Sequence, residues 1–198
     1  MAFDILVSPA ARLPLADVDT DRILPAKRMK GLTRGGLGGF LFERMRYDAQ
    51  GRERREFVLN QPEFRNARIL IAGANFGCGS SREHAVWALL DHGIRCIIAP
   101  SFGSIFTGNC RENGILLIAL PEDALAALDA RLDDAPTAPL TIDLPKQTIS
   151  VTGDPPIPFD INPSVRRHLI DGRDSVERTL ALADAIEDYE RRSASEIA

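Results

Sequence analysis

Arg68-Ile69-Leu70-Ile71-Ala72-Gly73-Ala74-Asn75-Phe76-Gly77-Cys78-Gly79-Ser80-Ser81-Arg82-Glu83-His84-Ala85-Val86-Trp87-Ala88-Leu89-Leu90-Asp91-His92-Gly93 decides the fold of this chain. The apolar run at its start predicts a buried strand, and Ala85 to His92 predicts a helix that Gly93 stops. A second apolar run, Ile94 to Ala99, ends at Pro100 and predicts another strand. Strand, glycine loop, helix and strand within about thirty residues form a βαβ unit. Its loop places two serines, an arginine and a row of backbone N–H groups at a helix N-terminus. Unpartnered amides and the positive end of the helix dipole favour anions there. An acidic small molecule is the first ligand class to follow.

Outward from this unit, Phe3 to Val7 predicts a first strand and Ile115 to Leu120 a third strand of the same sheet. Asp17-Val18-Asp19-Thr20-Asp21-Arg22-Ile23-Leu24-Pro25 is dense in carboxylates and closed by proline. Residues 27–39 are basic and glycine-rich, a composition that predicts a mobile loop. Asp48 to Glu56 reads as a solvated, charged excursion. Glu122 to Leu132 predicts an amphipathic helix with Leu125, Leu128 and Leu132 on one face. Leu140–Leu144 and Gln147–Val151 alternate in polarity around Pro145-Lys146 and predict a hairpin. Two helices close the chain. Asn162-Pro163 caps the first and Gly172 ends it. Asp174 with Glu177 forms a capping box for the second, which is expected to turn Val176, Leu180, Ala183 and Ile186 inward. Residues 191–198 are expected to fray. Residues 1–198 thus read as one α/β domain, with a central βαβ sheet and a C-terminal hairpin and helices.

With 44% hydrophobic and 26% charged residues, the composition is that of a globular protein rather than a disordered one. A net charge of −4 argues against a general nucleic-acid binder. No apolar stretch reaches the roughly 18 residues of a membrane span. No basic-then-apolar leader opens the sequence, so a cytoplasmic location is expected. Cys78, Cys96 and Cys110 lack any C-x-x-C spacing, and Cys96 falls inside a strand; neither a disulfide framework nor a metal site is predicted.

Several familiar signatures fail in the loop. Gly79 is followed by Ser80 where a P-loop needs lysine, Arg82 stands where a dinucleotide fingerprint needs glycine, and no G-x-S-x-G elbow is present. Ser80 and His84 sit four apart, but no orienting carboxylate marks a hydrolase triad. Ser80-Ser81-Arg82-Glu83 also fits an S-x-x-E capping box, in which serine merely satisfies amide donors. The adjoining Gly77-Cys78-Gly79, implying close backbone approach, and the forked guanidinium of Arg82 favour an anion site instead.

Phe76-Gly77-Cys78-Gly79-Ser80-Ser81-Arg82-Glu83-His84-Ala85, with Asp19-Thr20-Asp21-Arg22-Ile23-Leu24-Pro25 before it and Ala99-Pro100-Ser101-Phe102 after it, resembles the small subunits of 3-isopropylmalate dehydratase. That family is the detached swivel domain of the aconitase superfamily. The likeness runs from about Asp19 to Tyr189, and the motif is specific for the superfamily. It implies an aconitase-type swivelling β/β/α fold. It also implies a two-subunit hydro-lyase of leucine biosynthesis, interconverting 2-isopropylmalate and 3-isopropylmalate through 2-isopropylmaleate. In the family a [4Fe-4S] cluster on the large subunit binds substrate and takes the leaving hydroxyl; this chain is expected to bind no cofactor or metal.

Position by position, the resemblance implies Ser80 as the base that removes the proton α to a carboxylate. Ser81 and Arg82 are implied as contacts to a substrate carboxylate, and one of the loop cations Arg28, Lys30 or Arg34 as a further one. Asp21, Gly77 and Gly79 are implied as loop support. Cys78 stands where aconitase has an acidic residue, as is usual in isopropylmalate dehydratases, and is expected to be structural or at the pocket edge rather than a nucleophile. Met29, Leu32 and Leu37 are expected to line a pocket for the isopropyl group. His84, His92 and Asn109 are expected near the subunit contact or bracing the site, with a purely structural role favoured for the two histidines. Rival readings are the small subunit of a homoaconitase or of a methylmalate (citraconate) dehydratase, and, in another class, a non-catalytic anion- or nucleotide-binding module.

Overall fold

Pro9 separates strands β1 (Ile5–Ser8) and β2 (Ala10–Leu13) and sends them into different sheets. The computed structural model describes residues 2–29, 35–80, 82–172, 179–180 and 183–197, without the side chains of 193–197. Strand β2 starts a parallel sheet that continues through β3 (Ile69–Ala72), β4 (Cys96–Ala99) and β5 (Leu116–Ala119), in that order. The register aligns Ala10, Ile69, Cys96 and Leu116. Strand β1 instead pairs antiparallel with β6 (Leu140–Asp143), followed by β7 (Thr148–Val151) and β8 (Ile157–Pro158). The predicted C-terminal hairpin is therefore not a peripheral appendage but the middle of a second sheet.

The two sheets stack because β3 and β4 are apolar on both faces. Leu70, Ala72, Ile97 and Ala99 face a core shared with α3 (Glu83–His92) and α4 (Ser104–Asn113). The alternating residues Ile69, Ile71, Cys96 and Ile98 face the opposite core, with Leu140, Ile142 and Ile149 of the second sheet. Helices α5 (Glu122–Asp134) and α6 (Pro163–Asp171) close that side through Leu128, Leu132 and Leu169. The layers are helix, parallel sheet, antiparallel sheet. Each fully buried Leu or Ile contributes about 1.5–3 kcal/mol relative to exposure. Near-continuous apolar runs are what a parallel strand covered on both faces requires.

The helix ends follow the sequence signals. Gly93 and Gly172 take the left-handed conformation as C-caps, and Asn162 accepts the amide of Ser164 before Pro163. Helix α7 (Ala183–Ile197) departs from expectation. Leu180 is 67% exposed and Ile186 41% exposed, so these residues do not turn inward. The helix also runs through the stretch expected to fray, since residues 183–197 contain no Gly or Pro to stop it. The capping pair Asp174 and Glu177, with Val176, lies outside the described residues. No helix among the described residues is long and apolar enough to cross a membrane.

Candidate functional site

In a parallel sheet every strand ends at the same edge, and ligands bind in the crevice beyond those carboxyl ends. Here that edge gathers the segments after β2, β3 and β4. Residues 73–82 follow β3 and carry the glycine loop. The segment after β4 grips the loop from one side: the amide of Asn75 donates to Ser101 Oγ (2.9 Å) and that of Phe76 to the Ser101 carbonyl (3.1 Å). The carboxylate-rich turn after β2 grips it from the other. Gly77 N donates to Val18 O (2.8 Å), Thr20 N to Cys78 O (3.0 Å), and Thr20 Oγ1 to Ser80 O (3.0 Å). Asn75 and Asp17, both with positive φ, join side chains at 2.7 Å.

Gly77 is required sterically. Its φ is +74°, and a Cβ there would lie 2.2 Å from the Phe106 ring beneath. Gly79, at φ +95°, has ordinary contact distance to Asp19 and Thr20, so its need for glycine is conformational. The amides of Asn75, Phe76 and Gly77 are spent on these braces, so the expected row of free N–H groups shrinks to the residues nearest the helix.

Helix α3 starts at Glu83 with Arg82 as N-cap, and no side chain caps it. Ser80 therefore does not close a capping box; its carbonyl is held by Thr20, and its hydroxyl, exposed to solvent, has no partner among the described residues. Ser81 lies outside the described residues. The Arg82 guanidinium is fixed: Nη1 donates to Asp21 Oδ1 at 2.7 Å, with the side chain 23% exposed.

Asp21 belongs to a single helical turn, α1 (Thr20–Ile23), which Asp19 caps by accepting Arg22 N at 2.7 Å. Oδ1 of Asp21 also accepts Ala26 N (2.9 Å), and Oδ2 accepts Arg44 Nη1 (3.0 Å). The Ala26 amide first, then Arg82, hold this carboxyl below its ordinary 3.8. It is thus charged wherever the protein is folded at neutral pH. Asp21 does more than support the loop, because it orients two guanidinia.

Residues Glu43 and Arg44, which sequence reasoning missed, sit on a second single turn, α2 (Glu43–Arg46). The preceding Phe42 is fully buried at φ +52°, an uncommon conformation for a bulky residue that aims the turn at α1. Glu43 takes Arg28 through Nε (3.1 Å) and Nη2 (2.5 Å) and Lys27 Nζ at 3.4 Å. The Arg28 hydrogen bond is the main reason its carboxyl is lowered. Arg28 also lies over the Phe40 ring, 4.2 Å from its centroid. Its guanidinium is thus directed at Glu43, which no sequence spacing signalled. Lys30 and Arg34 lie outside the described residues.

Leu37 does not line an accessible pocket: it is fully buried in the α3 core. The next residue explains why. Gly38 N donates to Asp91 Oδ2 (2.7 Å), and a Cβ on Gly38 would meet His92 N at 2.7 Å. This latch pulls the segment onto α3. Met29 packs partly buried against the same core, and Leu32 is outside the described residues. His84 stacks on Trp87 with ring centroids 4.6 Å apart. His92 is held below its usual range by burial and then by Arg46. Asn109 accepts Asn113 Nδ2 through its carbonyl, so it braces α4.

Burial and then Asp17 and Asp19 raise the Cys78 thiol, which disfavours a nucleophilic thiolate. Cys96 and Cys110 are fully buried in opposite cores, and burial raises both. Among the described residues no three His, Cys, Asp or Glu side chains converge as a metal site.

A family model for the aconitase C-terminal domain matches residues 3–123. The chain is 51% identical over 194 residues to the 3-isopropylmalate dehydratase small subunit of Rhodospirillum centenum, covering 98% of this chain and 96% of that one. It is 47% identical over 192 residues to the protein of the same name from Roseobacter denitrificans, covering 97% and 96%. Among solved structures, it is similar to the 3-isopropylmalate dehydratase of Methanocaldococcus jannaschii. The TM-score is 0.68 at 26% identity, over 94% of this chain and 99% of that one.

Proposed function

Because the chain belongs to the aconitase C-terminal domain family, as a small subunit of 3-isopropylmalate dehydratase, we propose that its loop at the sheet edge is the substrate-side half of a composite active site. The supporting observation is the pairing of an uncapped, solvent-facing Ser80 with a guanidinium, Arg82, immobilised two residues later. The chain acts only with its large subunit, in the cytoplasm, and the [4Fe-4S] cluster resides on that partner.

Ser80 Oγ takes the proton from the carbon α to a substrate carboxylate and returns it on rehydration. The electron pair left behind becomes the double bond of 2-isopropylmaleate as hydroxide leaves the neighbouring carbon. Negative charge grows on the flanking carboxylate during proton removal. A guanidinium fixed beforehand meets that charge without reorganisation; one such preorganised donor contributes about 3–4 kcal/mol. Asp21 supplies the fixing by holding Arg82 from behind. Ser81 is the second contact to the same carboxylate. One of the loop cations Arg28, Lys30 and Arg34 serves the other carboxylate. Serine is a weak base, so its alkoxide needs the positive end of α3 beside it.

The test is reconstitution. Mixed with the large subunit, the chain should generate dehydratase activity, followed by absorbance of the unsaturated intermediate, and the isolated chain should be inert. Full activity from the isolated chain overturns the composite site. Equal activity of the Ser80→Ala variant in the assembled enzyme overturns the role of Ser80.

A further inference from the structure

Helix α3 begins beside the candidate site without a side-chain cap, and its first core residue is Ala85. Glu83 and His84 precede that anchor and are only half-buried, so core packing does not hold the first turn. The unpartnered amides of an uncapped turn leave it prone to fray. One side chain from another helix holds both residues. Asn113, the last residue of α4, donates through Nδ2 to Glu83 Oε1 at 2.8 Å. Its Oδ1 accepts Trp87 Nε1 at 3.1 Å, and the Trp87 ring carries His84. Glu83 and Trp87 lie about one turn apart, so a single amide bridges the start of α3.

The partners of that amide fix its orientation. Nδ2 also donates to the Asn109 carbonyl at 2.9 Å, which uses its second hydrogen. A flipped amide would set its oxygen against the Glu83 carboxylate and the Asn109 carbonyl, and its NH2 group against the indole N–H. Gly114, at φ +80°, ends α4 directly after Asn113 and so places it opposite α3. A fully bonded polar network rigidifies what it touches. What this one touches is the turn directly after Ser80 and Arg82. On the other side α1 holds those two residues, Thr20 Oγ1 on the Ser80 carbonyl and Asp21 on the Arg82 guanidinium. The α1 bonds fix the loop, and Asn113 fixes the helix that the loop enters.

We propose that Asn113 is a positioning residue of the reaction, holding the first turn of α3 so that the Ser80 hydroxyl and the Arg82 guanidinium keep their places relative to each other. This rests on the reading above that both act on substrate. Asn113 touches neither reacting group, and it acts through Glu83 and Trp87.

The test compares wild type with Asn113→Ala, Glu83→Ala, the double variant and Glu83→Gln. Each is assayed with the large subunit, and amide hydrogen exchange of the isolated chain is followed by mass spectrometry. In both alanine variants, exchange across residues 83–86 should quicken about tenfold or more, with β3 and β4 unchanged. Well below the melting temperature, kcat/KM should fall about 10- to 100-fold, mainly through kcat. The double variant should be no worse than Asn113→Ala, because both changes break one bond. Glu83→Gln keeps an acceptor opposite Nδ2 and should recover most of the lost rate. Lower melting temperatures with wild-type exchange and wild-type kcat/KM assign Asn113 to stability alone and overturn the proposal. Faster exchange with wild-type kcat/KM overturns it as well. Should Asn113→Ala fail to fold, Glu83→Ala, a change at a half-buried position, carries the same test. Full turnover by Ser80→Ala, or none by the wild-type pair, overturns the underlying reading and the proposal with it.

Discussion

Ser80, Arg82 and Asp21 carry different loads, and substitutions separate them. Ser80→Ala removes a solvent-facing hydroxyl with no capping bond, so stability should change by no more than about 0.5 kcal/mol. Turnover should fall by about 10²–10⁴-fold, the range of a lost general base. Steady-state kinetics on the reconstituted enzyme, beside a urea titration, checks both; a large stability loss with unchanged rate would return serine to a capping role. Asp21→Asn leaves the chemistry untouched but frees Arg82 and Arg44 from a charged anchor. A drop of about 10²-fold in kcat/KM is expected from such misplacement. The Asp21 carboxyl titrates below 3.8, so its stabilising charge is present above that value and lost only as pH falls through the lower folded one. An activity loss of wild type near neutral pH that Asp21→Asn abolished would contradict this. Gly77→Ala forces a Cβ into the Phe106 ring at a left-handed φ and should cost about 2–4 kcal/mol by urea denaturation. That Ser80, Arg82 and the glycines share one loop at the sheet edge was legible because they form one contiguous motif. Glu43 and Arg44 were not, because their position depends on the backbone of Phe42, which no residue type announces.

At the scale of elements, the strands and helices around the glycine loop follow from apolar runs and Gly or Pro stops. The exceptions are physical. Helices α1 and α2 are single turns, too short to show periodicity, and exist through Asp19 and the buried Phe42 rather than through propensity. Helix α7 has an amphipathic pattern that predicts burial, but a pattern alone does not supply the surface to be buried against. Helix α3 has a second function hidden from sequence: its C-terminal end latches Gly38 through Asp91, with His92 packed beneath. Burial and the Arg46 charge hold His92 below its ordinary 6.5. The unfolded chain therefore takes up a proton that the folded chain resists. Stability contributed here is complete above pH 6.5 and declines as pH falls toward the folded value. Urea midpoints for wild type and His92→Gln across about pH 5.5 to 7.5 should show a steeper decline for wild type. Parallel declines would show that the latch is insensitive to this imidazole.

For the whole molecule, the decisive feature is that one parallel sheet serves two cores. Strands β3, β4 and β5 were readable from continuous hydrophobicity and the β6–β7 hairpin from its alternation. Strand β2 and the division into two sheets were not, because β1 and β6 are separated by more than a hundred residues and pair only in three dimensions. Strands β3 and β4 give alternate side chains to each core, so neither core can melt while leaving the other its full wall. We therefore expect the residues around both sheets to unfold as a single unit, although the matched family model ends at residue 123, before the second sheet's hairpin. Leu70→Ala opens the core of α3, and Ile71→Ala, one residue on, opens the core between the sheets. Each should cost about 2–5 kcal/mol. Trp87 on α3 reports the first core by fluorescence, and far-ultraviolet circular dichroism reports all the helices and strands. Both probes should give one coincident urea transition in wild type and in both variants, displaced to lower denaturant. If Ile71→Ala instead displaced the dichroism transition while Trp87 kept the wild-type midpoint, the sheets would belong to separately stable units. The rigid placement of the Ser80 loop would then be owed to the parallel sheet and its helices alone.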